Sequence, residues 1–269
     1  MSHHTRQRSH RYHLVDSSPH PYLLSLSVFI TLFRLVNWFN YISYSFILII
    51  LPRLMLILST LHKWWRDVCR ESTYMGLHTI EVSNGLRSRI ILFIFSEVIF
   101  FSRFFWSFFN NSLCREVQVR INWPPVRVEV LDTFRVPILN TIILLSSRVS
   151  VTWAHHSVVI RYLYESILRI WITLILGVIF TRLQVLEYFE TSYTISYRNY
   201  RSIFFMATRF HRFHVLVRSI FLAVRLVRLI IRQLNPTQHI RIECAIWYWH
   251  FVDVVWVFLY LIVYWWGNS

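Results

Sequence analysis

WYWHFVDVVW, residues 247–256, sets His250 and Asp253 inside a run of aromatics and valines. Ionisable groups in such a run are costly in lipid, so each needs a structural or functional reason. Read as a helix, the string places His250 and Asp253 three apart on one face, where each can satisfy the other as a structural polar pair. The same reading sends Trp247, Trp256, Trp265 and Trp266 to the two membrane interfaces, the level that suits amphipathic rings.

The rest of the chain has the same character. Of its 269 residues, 55% are hydrophobic and 18% aromatic, with only four Gly and seven Pro. A soluble domain would need polar helix faces and turn residues, whereas here apolar runs of roughly 20 residues recur along the whole length. Seven membrane-spanning helices are expected, at about 22–39, 41–62, 87–109, 137–156, 163–186, 201–232 and 242–265, the sixth reaching beyond the bilayer. The fold class is therefore an all-α, polytopic membrane helical bundle. No internal repeat or long linker divides it, so residues 1–269 read as a single integral membrane domain.

The start of the chain carries Arg6, Arg8, Arg11 and four histidines without an apolar stretch or small-residue cleavage site, which suits an uncleaved basic anchor. Basic residues also follow the second helix (Lys63, Arg66, Arg70, then Arg87), while Glu187 and Glu190 are expected in a loop after the fifth. Positive charge marks the inner side, so the amino end should face inward and the carboxyl end outward. Residues 110–136, with Trp123, Pro124 and Pro125, should form an outer loop of turn chemistry.

Glu97, in SEVIFF at residues 96–101, falls in the middle of the third span with only Ser96 and Ser102 as nearby uncharged polar groups. An intramembrane carboxylate is a functional candidate, set against a neutral, hydrogen-bonded structural glutamic acid. His155 and His156 are adjacent, and His211 and His214 share a helical face, yet a metal needs further converging ligands that the sequence does not supply. Cys69, Cys114 and Cys244 are far apart and form neither a disulfide framework nor a paired-cysteine metal site. No catalytic or metal-ligating set is expected, and no nucleic-acid partner. Trp65, Arg70, Glu71, Thr73 and His78 mix cations, a hydroxyl and an aromatic at the inner end of the second helix, a composition that suits phospholipid head groups or a solvated loop.

Together with WAHH (153–156), FFMAT (204–208) and WWRDV (64–68), the opening string resembles subunit III of the haem-copper cytochrome c oxidases in its mitochondrial form, over about residues 13–267. The resemblance implies a V-shaped 2 + 5 arrangement, with helices one and two (about 22–62) set against helices three to seven (about 87–265). It implies a non-redox core subunit of complex IV, the proton-translocating enzyme that carries electrons from cytochrome c to oxygen. Its partners would be subunits I and II, which hold the haem and copper. This chain would bind no redox cofactor, and phospholipid would sit at Trp65, Arg70, Glu71, Thr73, His78 and, on the sixth helix, Arg228. Glu97 matches the family's buried, carbodiimide-reactive glutamate, which the family does not need as a proton channel. The implied location is the mitochondrial inner membrane, amino end in the matrix and carboxyl end in the intermembrane space.

Two features depart from that family. Its Pro-Trp-Pro near the start reads Pro19, His20, Pro21 here, without the aromatic. Arginine also stands where the family has glycine, most securely at Arg89, Arg103, Arg148, Arg201, Arg209, Arg212, Arg218 and Arg241, and further at Arg34, Arg120, Arg127, Arg161, Arg169, Arg182 and Arg198. Lys63 is the sole lysine among 28 basic residues. Four Gly lie far below the number that an average of about 7% would give. Glycine at those fifteen positions would restore an ordinary glycine content and cancel the formal charge of +15. A codon misreading is thus expected, because some animal mitochondrial codes read AGA and AGG as glycine. Taken literally, the arginines of the sixth span would instead suggest a voltage-sensing channel or standalone transporter, although their spacing is irregular.

Overall fold

The computed structural model describes residues 11–40, 46–113, 132–190, 199–233 and 240–268. The expected turn at Trp123, Pro124 and Pro125 lies outside them, as do Cys114, the junction near residue 41, and Arg120, Arg127 and Arg198. The fold is all-helical across the described residues, with α1 (His20–Asn40), α2 (Phe46–Thr73), α3 (Ile80–Leu113), α4 (Val136–Val159), α5 (Leu163–Glu190), α6 (Asn199–Ile230) and α7 (Ile240–Leu259). A π-helical turn, Tyr260–Trp265, and a 3-10 turn, Trp266–Asn268, extend α7.

Local chemistry explains several of the boundaries. Gly76, with φ +59 and open space where a Cβ would stand, ends the turn after α2 in the left-handed region that glycine enters without strain. The Thr79 hydroxyl accepts from the Val82 amide at 3.5 Å, and Glu81 lies in the first turn of α3, where a negative charge meets the helix dipole. A proline occupies the first turn of α4, where its missing N–H costs nothing. That helix closes with Tyr162 N donating to Ser157 O at 2.9 Å and Arg161 N to Val158 O at 3.2 Å, a Schellman pattern that puts Arg161 at φ 71.

The helices run longer than the apolar runs suggested. Lys63, Arg66 and Arg70 belong to α2 itself rather than to a loop, and Arg87 to α3. Glu187 likewise lies within α5 and is 1% exposed, because its partners are buried with it. At 32 residues, α6 is about 48 Å long, well beyond a hydrocarbon core of about 30 Å. Among the described residues, five helices are long and apolar enough to cross a membrane: α1, α3, α4, α5 and α7 with its π-helical turn. Helices α2 and α6, each carrying six Lys, Arg, Asp or Glu side chains, fall outside that group.

The chain divides into two compact units, Met1–Leu86 and Arg87–Ser269. In the first, α1 packs on α2, with Ser27 and Thr60 buried and bonded to carbonyls of their own helices. His20 pairs with Asp67 at 3.2 Å, Thr79 donates to the Arg11 carbonyl at 2.6 Å, and the His13 and His78 rings meet at 6.2 Å.

In the second unit, buried residues on α4 recur every three or four positions (Asn140, Leu144, Ser147, Val151, Ala154, Val158), the period of one helical face. That face meets α5 and α7. Ser150 and Thr173 hydroxyls bond at 2.8 Å, Trp249 Nε1 donates to Ser147 Oγ at 3.1 Å, and Trp256 Nε1 donates to Thr141 Oγ1 at 3.1 Å. At Gly177 a Cβ would lie 3.2 Å from the Trp249 ring and 3.3 Å from Ser219 Oγ, a tight fit that either side chain would have to yield to by a few tenths of an ångström, so glycine favours this close approach of α5. Trp256, expected at an interface, is fully buried instead, edge-on to Phe180 at 4.9 Å. Its one polar atom is answered by Thr141, which removes the reason to seek water. Trp265 is exposed.

Candidate functional site

The middle of the second unit holds ionisable side chains on α3, α6 and α7. Apolar neighbours surround them: Phe101 is 2% exposed, Tyr248 4% and Val252 0%. Each ionisable group must find its partner on another helix.

Glu97 finds His214. His214 Nε2 lies 2.8 Å from Glu97 Oε2, linking α3 to α6 across 117 residues of sequence. The His214 Nδ1–H donates to the Phe210 carbonyl at 2.7 Å, which fixes where one ring proton sits. The contact with Glu97 then requires one further proton, carried either by the ring as an ion pair or by the carboxyl as a neutral pair. Ser96 and Ser102, the neighbours expected to serve Glu97, donate to carbonyls of their own helix instead. Phe100 and Phe101 stand against the His214 ring at 6.3 and 5.2 Å and shield the pair.

Asp253 finds Arg218. The guanidinium, 1% exposed, donates through Nη1 to Asp253 Oδ1 at 2.6 Å and to the Trp249 carbonyl at 2.8 Å, with its carbon 4.0 Å from the Trp249 ring centre. The expected His250–Asp253 pair does not form. Asp253 is 1% exposed and turned to α6, while His250 is only part-buried and its Nδ1 has no hydrogen-bond partner. A partner three residues along the same helix lost to a charged one across the interface, since a cation stabilises a buried carboxylate more than a neutral ring does. Arg218 Nε and Nη2 and Asp253 Oδ2 are left without partners, so the pair is incompletely satisfied.

His211 is fully buried, and its Nε2–H donates to the Val252 carbonyl at 3.1 Å. His211 and His214 are thus directed at separate partners, the Val252 carbonyl and Glu97. Among the described residues, no group of three His, Cys, Asp or Glu side chains converges in a way that could hold a metal ion.

In the first unit, Trp65 is 63% exposed and Arg70 is exposed near the end of α2. Glu71, Thr73 and His78 follow, half-buried, on the last turn and the short connection to α3. The Arg70 carbonyl caps that turn by accepting from the amides of Tyr74 and Met75. In the second unit, Arg228 is 6% exposed and its Nε donates to Gln233 Oε1 at 3.3 Å, just past the end of α6.

The remaining arginines show two modes. Arg169 pairs with Glu165 at 3.5 Å and covers the Trp153 ring at 4.0 Å. Arg209 and Arg212 lie over the Tyr188 ring at 5.9 and 5.2 Å, whereas Arg103, Arg148 and Arg182 are exposed along their helices. Sequence reading missed the His214–Glu97 and Arg218–Asp253 pairs. The available signal was that α6 supplied cations while α3 and α7 each held one carboxylate beyond the first turn, Glu97 and Asp253.

Comparison with known proteins agrees over nearly the whole chain. The family model described as cytochrome c oxidase subunit III matches residues 10–268. Cytochrome c oxidase subunit 3 of Pisaster ochraceus is 49% identical over 259 residues, covering 96% of this chain and 98% of that protein. Its counterparts in Branchiostoma lanceolatum and Pongo abelii are each 47% identical, over 98% and 97% of this chain and 100% and 99% of their own lengths.

Proposed function

Because the chain belongs to the cytochrome c oxidase subunit III family and is a subunit of the complex IV oxidase, we propose that its own contribution is structural. It carries no catalytic centre and binds no redox cofactor. Haem and copper sit in subunits I and II, its partners. A standalone transporter or voltage-sensing channel is not favoured, given relatives of one name along nearly their full length.

The observation that carries this reading is how the intramembrane polar groups are used. Glu97 is bound to His214, a bond that joins two helices of one unit and involves none of the family's glycine positions. Groups committed in this way lock helices together. Glu97 is accordingly a packing residue, with no part in electron transfer. As one integral membrane domain in the mitochondrial inner membrane, amino end in the matrix, the chain would stabilise subunit I and keep proton uptake effective over many turnovers. The basic residues near the end of α2 support that orientation.

Phospholipid is the second part of the proposal. Trp65 offers an exposed ring, and Arg70, Glu71, Thr73 and His78, all within the next thirteen residues, offer donors and charge, the combination that suits a head group.

Selective removal of this chain from the purified complex tests the reading. Haem and copper spectra and the initial rate of oxygen reduction should persist, with activity declining during turnover. Loss of haem or copper absorbance in step with the chain would refute it.

A further inference from the structure

A second buried polar group lies at the C-terminal end of α5, separate from the pairs already described. Gln184 and Glu187 occupy the inward face of α5 at 0% and 1% exposure, and Gln184 Nε2 donates to Glu187 Oε2 at 2.5 Å. The π-helical turn that extends α7 brings Tyr264 to the same place, 1% exposed, with its hydroxyl 3.4 Å from Gln184 Nε2 and hydrogen-bonded to the Glu187 carboxyl. Phe204 stands edge-on to Tyr264 at 5.4 Å and closes one side.

Asn140 reaches this level from α4. The Ser150–Thr173 bond sets the register of the α4–α5 pair, and with the two helices antiparallel Asn140 comes level with residues 183–184. It is fully buried on the face that meets α5 and α7. Neither its Oδ1 nor its Nδ2 has a hydrogen-bond partner, and Gln184 Oε1 has none either. Buried amides are nearly always satisfied, by ordered water where the protein cannot serve. Two acceptors and a two-proton donor, beside a carboxyl, supply the two to four polar partners that an internal water needs. A π-helical turn at the spot fits too, since such turns are frequent at functional sites.

We propose that Asn140, Gln184, Glu187 and Tyr264 enclose an internal water site, in which the water serves the Asn140 amide and Gln184 Oε1 that the protein itself leaves unpaired. The ligand is water, bound inside the helix bundle. The site is independent of the redox centres and goes beyond the structural role proposed above.

A high-resolution cryo-EM map of the assembled oxidase complex tests this directly. Density for a water within hydrogen-bonding reach of Asn140 and Gln184 is expected. Direct contact between the two amides, with no density between them, would overturn the idea.

Discussion

Replacement of arginine by glycine at the family's glycine positions is the prediction with the largest energetic consequence. Arg148 lies at the middle of α4, eleven residues from Val159 and twelve from Val136, or about 17 Å from either end. Its side chain is exposed, and from that depth a guanidinium cannot reach an interface by extending its stem. On the lenient insertion scale such a residue costs about 3 kcal/mol. Arg103, Arg182 and Arg209 are also exposed but nearer their helix ends, so roughly half that figure applies to each. The four together cost on the order of 7 kcal/mol, a large part of the roughly 5–15 kcal/mol by which a whole protein is stable. Arg161 adds a local conflict, since φ 71 at the residue that closes α4 is where glycine is strongly preferred. Removing Arg201, Arg209, Arg212 and Arg218 would also leave α6 as apolar as a membrane span should be. Peptide mass spectrometry of the native protein across residues 204–217 should therefore read glycine at positions 209 and 212. Arginine at both would refute the reasoning and require anionic lipid or partner carboxylates beside α4 and α6.

Other outcomes follow from the helix contacts. Glu97→Gln keeps a hydrogen-bonding side chain opposite His214 and should preserve assembly and oxygen reduction, while His214→Phe strands a part-buried carboxyl and should destabilise the subunit by about 1–3 kcal/mol in a thermal dissociation assay; loss of turnover in a fully assembled Glu97→Gln complex would reverse the assignment. Trp256→Ala empties a fully buried site and removes the Thr141 bond, for an expected loss of about 3–5 kcal/mol, and an unchanged midpoint would contradict the packing described. Trp65→Ala combined with Arg70→Ala should lower the phospholipid that copurifies with the complex without altering its haem content, as measured by lipid mass spectrometry; unchanged lipid would remove that site.

Helix number and order were legible because lipid imposes a length on every span: five helices carry an apolar run of that length, and shorter apolar stretches marked α2 and α6. Helix ends were less legible. Lys63, Arg66 and Arg70 look like loop residues by charge, yet a helix that leaves the bilayer keeps its backbone bonds and needs only water around its side chains, so α2 continues to Thr73. Glu187 was misread for the related reason that a charge near the end of an apolar run suggests solvent, whereas Gln184 and Tyr264 receive it inside the fold.

Cross-helix pairs were the least legible part, and the cause is geometric. A helical face shows which residues of one segment lie together, so His250 and Asp253 could be judged neighbours from spacing alone. Partners on another helix depend on the rotation and depth of both helices, which the apolar pattern of either leaves open by a turn or more. Buried residues such as Ser147, Ser150, Trp249 and Thr173 settle those two quantities, because each has a polar atom that must meet another at one depth. Once α4, α5 and α7 are held at that depth, Gly177 admits the Trp249 ring, and Asp253, one turn further along α7, is turned toward α6. The pairing of Asp253 is thus a consequence of hydroxyl and indole bonds elsewhere on the same faces, and it would be lost if those bonds slipped by a turn.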